Sequence, residues 1–479
     1  MATTSDFRRI IAKSFFDSVR NRLSEDIFFA MTSYSEGAPD LEIIDSDGID
    51  LIESANLATN AITMHRILPG GASRVISRNQ WTRNSIYEGW SLSATNYFVF
   101  VREFVSGVVQ LNVYKCLFSP GTASTIAPSG APITPFATVD GYWWQYMFTI
   151  DNSSAIRFLT ADYIPVSERI TALDAESISI GTSRYRQYVV QQNAVIGGVY
   201  NVEISSGFEH DSLVGDGDTL RIYGYSPARD SALIVQRFEG TILRIGDDSD
   251  TRYVFQLETP GIGYGQQMQI ADNLEYDPVM TDGSMGSVVD GVVPAVAPGL
   301  GHGTDAPTEL RASSVMLVVR NVPSGDFLPL ATNSFSVLSL VQNPIDSSTQ
   351  NIAERDFYVA CKSFDIAEGQ RQIFQEGDII VRDVSAAQAL VRVVATDGNR
   401  VYYTNVGSES VNLFASSTHN YGVQNTSGSG ITGATVQIER LNDRQVVYNS
   451  HILAVSNVQT VAVNRADDQI ESMNFIFDF

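Results

Sequence analysis

The chain has 479 residues, with 31 Lys and Arg against 54 Asp and Glu and a formal net charge of -23. That balance repels phosphate backbones and anionic lipid, so it excludes nucleic acid and membrane surfaces as expected partners. No apolar run approaches the ~18 residues of a spanning helix, and the start Met-Ala-Thr-Thr-Ser-Asp-Phe-Arg-Arg lacks the long apolar core of a secretion signal, which points to a soluble product of a cytoplasm.

From the N-terminus, Phe7, Ile10, Ile11, Phe15, Val19 and Leu23 keep the i, i+3, i+4 spacing of one helical stripe, with Thr4, Ser5 and Asp6 ahead of it as capping candidates. The other side carries Arg8, Arg9, Lys13 and Arg20. A solvated face is the ordinary reading of those charges, and a docking arm for an acidic neighbour is the sharper one. Strand signals follow. Tyr97–Val105 and Val108–Phe118 read as a hairpin turned at Ser106-Gly107. Beyond a Pro- and Gly-dotted loop, Asp140-Gly-Tyr-Trp-Trp-Gln-Tyr-Met-Phe-Thr-Ile150 places Tyr142, Trp144, Tyr146, Phe148 and Ile150 on one buried face of a period-2 strand, with Trp143 opposite as a candidate interface ring. Leu220–Tyr223, Ala232–Phe238, Thr241–Ile245 and Tyr253–Leu257 are short runs between Gly/Asp turns, enough for a small sheet or barrel. A similar texture returns at Asp378–Arg382, Leu390–Val394, an Asp397-Gly-Asn-Arg turn, Val401–Tyr403 and Ala434–Ile438. Gly283–Gly303 and Thr426–Gly433 read as connectors. Phe475, Phe477 and Phe479 alternate to the last residue, so a terminal strand docked in a core or on a partner is expected.

A single core stops growing at roughly 250–300 residues, so two or three domains are expected. The resulting organisation is mainly β: a sandwich-like core with an N-terminal amphipathic helix and inserted small β modules. Its parts are a helical arm at 1–30, β core at 31–184 and 291–352, inserted modules at 185–290 and 353–445, and C-terminal strands at 446–479 returning to the core.

Chemistry is sparse. Cys116 and Cys361 form no CxxC and read as buried, reduced thiols. There is no phosphate-binding loop, nucleophile elbow or His-Glu-x-x-His. The glycines of Gly299–Gly303 and Gly261–Gly265 read as turns needing positive φ or close backbone approach. Of His65, His210, His302, His419 and His451, none stands at metal-ligand spacing from another. His302, which its glycine neighbours would expose, reads as a hydrogen-bonded residue pinning a connector. Asp45–Asp50 and Gly246–Asp250 gather carboxylates but lack the twelve-residue calcium spacing with its terminal Glu. No catalytic, cofactor-binding or metal-binding residue is assigned, and an enzyme is not expected.

Several short pieces nonetheless fall in a telling order. They are Ile10–Phe15, Leu68-Pro69, Val75-Ile-Ser-Arg-Asn-Gln-Trp81, Val113-Tyr-Lys-Cys-Leu117, Asp140–Ile150, Phe158-Leu-Thr to Ile164-Pro-Val166, Gly301-His-Gly-Thr-Asp305 with Glu309-Leu310, Val337–Pro344 and Met473–Phe479. The ordered set resembles the baseplate wedge subunits of contractile-tailed bacteriophages, the gene-product-eight family of T-even and related cyanobacterial phages. It covers residues 1–170 best and returns near 300–345 and 446–479. No Arg follows Ser334-Phe335, where such proteins often read Asp-Phe-Arg or Asn-Asp-Tyr-Arg. The resemblance implies a mainly β structural protein of the virion that pairs with other wedge proteins and with itself as a homodimer. Alternatives from other classes are a receptor- or glycan-binding tail protein, and a polysaccharide-cleaving enzyme, which would need paired carboxylates in a groove.

Overall fold

The computed structural model describes residues 5–21, 26–33, 60–204, 219–224, 238–245, 252–264, 276–281, 286–288, 292–298, 300–321, 337–368, 373–381, 389–406, 418–424, 431–447, 451–457 and 471–479. These residues are mainly β, in several sheets, with an N-terminal helix. The chain divides into two compact units, one of Met1–Lys13, Ser73–Ser314 and Asp478–Phe479, the other of Ser14–Ala72 and Val315–Phe477.

The helix runs over Ser5–Arg20, and its buried face differs from the expected stripe. Phe7 and Ile10 are 50% and 64% exposed, whereas Ala12, Phe16 and Val19 are buried, flanked by half-buried Ile11 and Phe15. The face is rotated by about one position. Ala12 at i and Phe16 at i+4 define it, and a small residue carries too little apolar weight in a stripe count to reveal this. Of the basic residues, Arg9 donates to the Thr308 carbonyl and pairs with Asp6, and Arg20 lies over the Phe16 ring.

In the first unit, Phe98–Val105, Val108–Phe118, Trp143–Thr149 and Phe136–Ala137 form a four-stranded antiparallel sheet in that order. The hairpin closes at Val105↔Val108, and positive φ at both Ser106 (50°) and Gly107 (84°) marks the turn whose twist matches paired strands. Both faces of this sheet are covered. One carries Tyr87, Val99, Tyr114, Cys116, Tyr142, Trp144 and Tyr146; the other carries Phe98, Phe100, Val113, Met147, Phe148 and Ile150. The expectation that five aromatic and apolar residues from Tyr142 to Ile150 share one face is therefore corrected. The register passes from Val113↔Phe148 to Tyr114↔Tyr146, so Met147 is an extra residue, and this bulge sends Phe148 and Ile150 to the opposite core.

The same unit holds a second antiparallel sheet, ordered Arg252–Thr259, Phe238–Ile245, Thr219–Gly224, Tyr276–Thr281, Gly286–Val288. The two runs expected at Ala232–Phe238 and Thr241–Ile245 are one strand, Phe238–Ile245, with a register shift at Glu239/Gly240, while 225–237 lie outside the described residues. The stretch Gly283–Gly303 is more than a connector. It contains Gly286–Val288 and Val292–Val296, the latter paired with Val199–Ile204, and ends in a buried turn.

In the second unit a five-stranded antiparallel sheet is ordered Phe357–Val359, Ala61–Arg66, Phe28–Ser33, Val337–Gln342, His451–Asn457. Phe29, Met31, Met64, Val341 and Tyr358 fill its core. Six strands close a barrel: Lys362–Ile366, Arg400–Asn405, Ala389–Asp397, Ile379–Val381, Thr418–Gln424 and Ile431–Asn442. Its interior is Phe364, Ile366, Phe374, Ile380, Val391, Val393, Val401, Tyr403, Val423 and Ile438. The terminal strand Glu471–Asp478 lies beside Ser314–Asn321, and Phe475 stacks on Phe477, whose edge meets Phe15.

Candidate functional site, a buried lysine, glutamate and histidine

Lys115 sits mid-strand in Val108–Phe118, between its cross-strand neighbours Phe98 and Gln145. The pleat points it into the core, where it is 0% exposed. An isolated ammonium there would carry a desolvation cost of several kcal/mol. The chain meets this with the short helix Ala306–Glu309. Glu309 Oε2 lies 2.5 Å from Lys115 Nζ, and its side chain is 1% exposed. Three short backbone contacts hold the carboxylate. The Gly303 N–H donates to Oε1 at 2.9 Å and Oε2 at 3.0 Å, and the Asp305 N–H donates to Oε1 at 3.0 Å.

These amides converge because of the turn before the helix. Gly301 and Gly303 take φ of 111° and 92°, a region that favours glycine. A Cβ on Gly301 would stand 2.5 Å from the Val195 carbonyl oxygen, and one on Gly303 2.9 Å from Val190 Cγ1. Thr304 Oγ1 donates back to the Gly301 carbonyl, and Gln191 Nε2 donates to that of Thr304.

His302 lies in this turn and is buried, which overturns the expectation that its glycines expose it. Glycines here allow close packing of backbone on backbone, so the side chain between them is driven inward. Its ring meets the edges of Trp90 at 5.2 Å and Tyr200 at 5.7 Å. Nδ1 is 3.9 Å from Glu309 Oε2 and makes no hydrogen bond, so the pinning bond expected of it is absent. Burial, and secondarily Lys115, push the imidazole well below its usual range, so it is neutral at physiological pH. Burial likewise lowers Lys115, against the opposing pull of Glu309. The indole of Trp90 roofs the lysine, with Nζ 4.6 Å from the ring centre. Beside the pair, the Tyr97 hydroxyl donates to the Glu309 carbonyl, and Arg311 ties down the carbonyls of Ser91, Leu92 and Ala94.

The structure thus joins two segments that the sequence reading treated separately, Val113–Leu117 and Gly301–Leu310. It missed the pairing itself. The available signal was a lone lysine at an inward strand position among Val113, Tyr114, Cys116 and Leu117, which demands a counter-charge from elsewhere. The other histidines do not join this cluster. His65 is buried on Ala61–Arg66 against Phe357, His419 and His451 stand in Thr418–Gln424 and His451–Asn457, and His210 lies outside the described residues. So do the carboxylate runs Asp45–Asp50 and Gly246–Asp250. Among the described residues no three His, Cys, Asp or Glu side chains are grouped as metal ligands, and no helix is long and apolar enough to cross a membrane. Cys116 and Cys361 are buried free thiols. Trp143, the candidate interface ring, is half-buried and tilted against Tyr200.

No protein-family model matches the chain, and no curated protein matches its sequence.

Proposed function

We propose that the protein is a structural component of a phage tail baseplate wedge, residing in the virion and linking neighbouring wedge proteins through contacts that rearrange on tail contraction. The ordered resemblance described above motivates this reading, and one surface feature carries it. The hairpin Phe98–Phe118 outruns its sheet, and at its tip Phe104, Val105 and Val108 are 76%, 40% and 57% exposed around a two-residue turn. Single exposed apolar residues are ordinary, but three at one projecting tip, the Val105 and Val108 pair on one face and Phe104 on the other, suit a ribbon that inserts between partners. Behind them the sheet is packed on both faces, which gives such a surface a stiff support. The glycan-binding alternative finds less here, since Tyr142, Trp144 and Tyr146 are buried rather than presented as a stacking platform.

The test combines cryo-electron reconstruction of particles with the double variant Phe104→Asp, Val108→Asp. The expected result is density repeated around the distal plate for the native chain, and loss of incorporation for the variant with its melting temperature unchanged. Density on an outward fibre, or full incorporation of the variant, would refute the reading.

A further inference from the structure

We propose that Lys115 and Glu309 condense to form an intramolecular isopeptide bond, Nζ to Cδ, that covalently closes the first unit. The proposal is independent of the tail assignment and rests on how the pair is enclosed.

Lys115 donates one hydrogen bond, to Glu309, and its other neighbour is the Trp90 ring. An ammonium has three N–H donors; with one given to Glu309 and one facing the Trp90 ring, the third would be buried here without an acceptor, whereas a neutral amine sheds a donor. In water, condensation of an amine with an acid is opposed chiefly by the stability of the two ions. Burial weakens that opposition on the lysine side, because desolvation disfavours the Lys115 ammonium. Shift of the shared proton from Nζ to Oε2 leaves an amine beside a carboxylic acid, with the nucleophile one carboxyl bond from Cδ. Such fixed proximity is worth many orders of magnitude in effective concentration.

The surrounding groups suit the step. When Nζ attacks Cδ, negative charge develops on Oε1, toward which the Gly303 and Asp305 N–H groups already point, as oxyanion donors must. Nζ must then lose a proton and Oε2 must gain one. His302 Nδ1 is neutral, makes no hydrogen bond and lies 3.9 Å from Oε2, placed to relay that proton as the contact tightens. The balance is one C–N bond formed, one C–O bond broken and one water released, with no oxidant or reductant. The bond would join residues 194 apart in sequence and enclose the strands from Phe136–Ala137 to Val292–Val296 in a covalent loop.

Intact-mass measurement of the full purified chain decides it. The expected mass is that of the sequence less one water, with a protease digest yielding a branched peptide that joins Lys115 to Glu309. Glu309→Ala is expected to have its full sequence mass and to run more slowly on a denaturing gel. His302→Phe keeps a ring against Trp90 and Tyr200 but removes the nitrogens, and it is expected to slow conversion, followed by intact mass as each chain is newly made in a cell-free synthesis, by roughly a hundredfold. An unmodified native mass, or a water lost elsewhere such as at an Asp-Gly succinimide, overturns the proposal. Conversion of His302→Phe at the native rate overturns the relay.

Discussion

His65 shows how one buried side chain makes the second unit sensitive to acid. It stands on Ala61–Arg66 with its ring 4.9 Å from Phe357 and Nε2 unpartnered, and burial depresses its pKa to about 4. In the unfolded chain it titrates near 6.5, so between those values the unfolded state binds the proton and the native state does not. Stability therefore falls as pH drops from about 6.5 toward 4, by up to about 3 kcal/mol from this residue alone. Urea midpoints for the native chain and His65→Phe at pH 7 and pH 4.5 should show the smaller loss in the variant; equal losses would exclude His65 as the source. Gly301 tests the other residue-scale claim. Gly301→Ala combines positive φ with a clash against backbone and should cost about 3 kcal/mol or more. Gly398→Ala, at φ 57° with open space around it, should cost about 1 kcal/mol. Denaturant titration of both separates the clash from the φ penalty, and equal costs would deny the tight turn. The glycines were legible in sequence as turns. The partner of Lys115 was not, because nothing local announces a residue 194 positions away.

Elements were most legible where a local signal and a period agreed. Ser106-Gly107 between two apolar runs specified its hairpin, and both central residues adopt the positive φ that the turn requires. Asparagine tolerates that region better than serine, so Ser106→Asn should raise thermal stability by a few tenths to about 1 kcal/mol, while Gly107→Ala should lower it by a similar or larger amount. Scanning calorimetry of the two variants checks the opposite signs; a shared sign would mean the turn is not what fixes the ribbon. The bulge at Met147 was illegible for a corresponding reason. A period-2 pattern continues across an inserted residue if both sheet faces are apolar, and here both are, so Phe148 kept its expected burial while changing cores. The helix Ser5–Arg20 was found in place but turned, since Ala12 rather than Ile10 makes the close approach.

On the scale of the whole molecule, sequence signals located most barrel strands but gave no sign of closure, because closure depends on pairings such as Ser363↔Asn442 across nearly the full module. That pairing has a consequence for independence. The first and last barrel strands, Lys362–Ile366 and Ile431–Asn442, are antiparallel neighbours, so the chain enters and leaves on the same side, as excisable insertions do. The interior is the barrel's own, and the part-exposed Arg400–Asp365 ion pair links two of its adjacent strands. Against this, Cys361, Val394, Ala395 and Tyr402 pack with Ile62 of the five-stranded sheet, and excision would wet that patch. At roughly 25 cal/mol per Å² such a loss is a few kcal/mol, smaller than what ten interior side chains supply. A fragment spanning residues 360–445 should therefore fold cooperatively but melt below the intact chain. Dispersed amide resonances and a single calorimetric transition are the expected readout, whereas a collapsed, non-cooperative fragment would show that the barrel depends on the sheet to close.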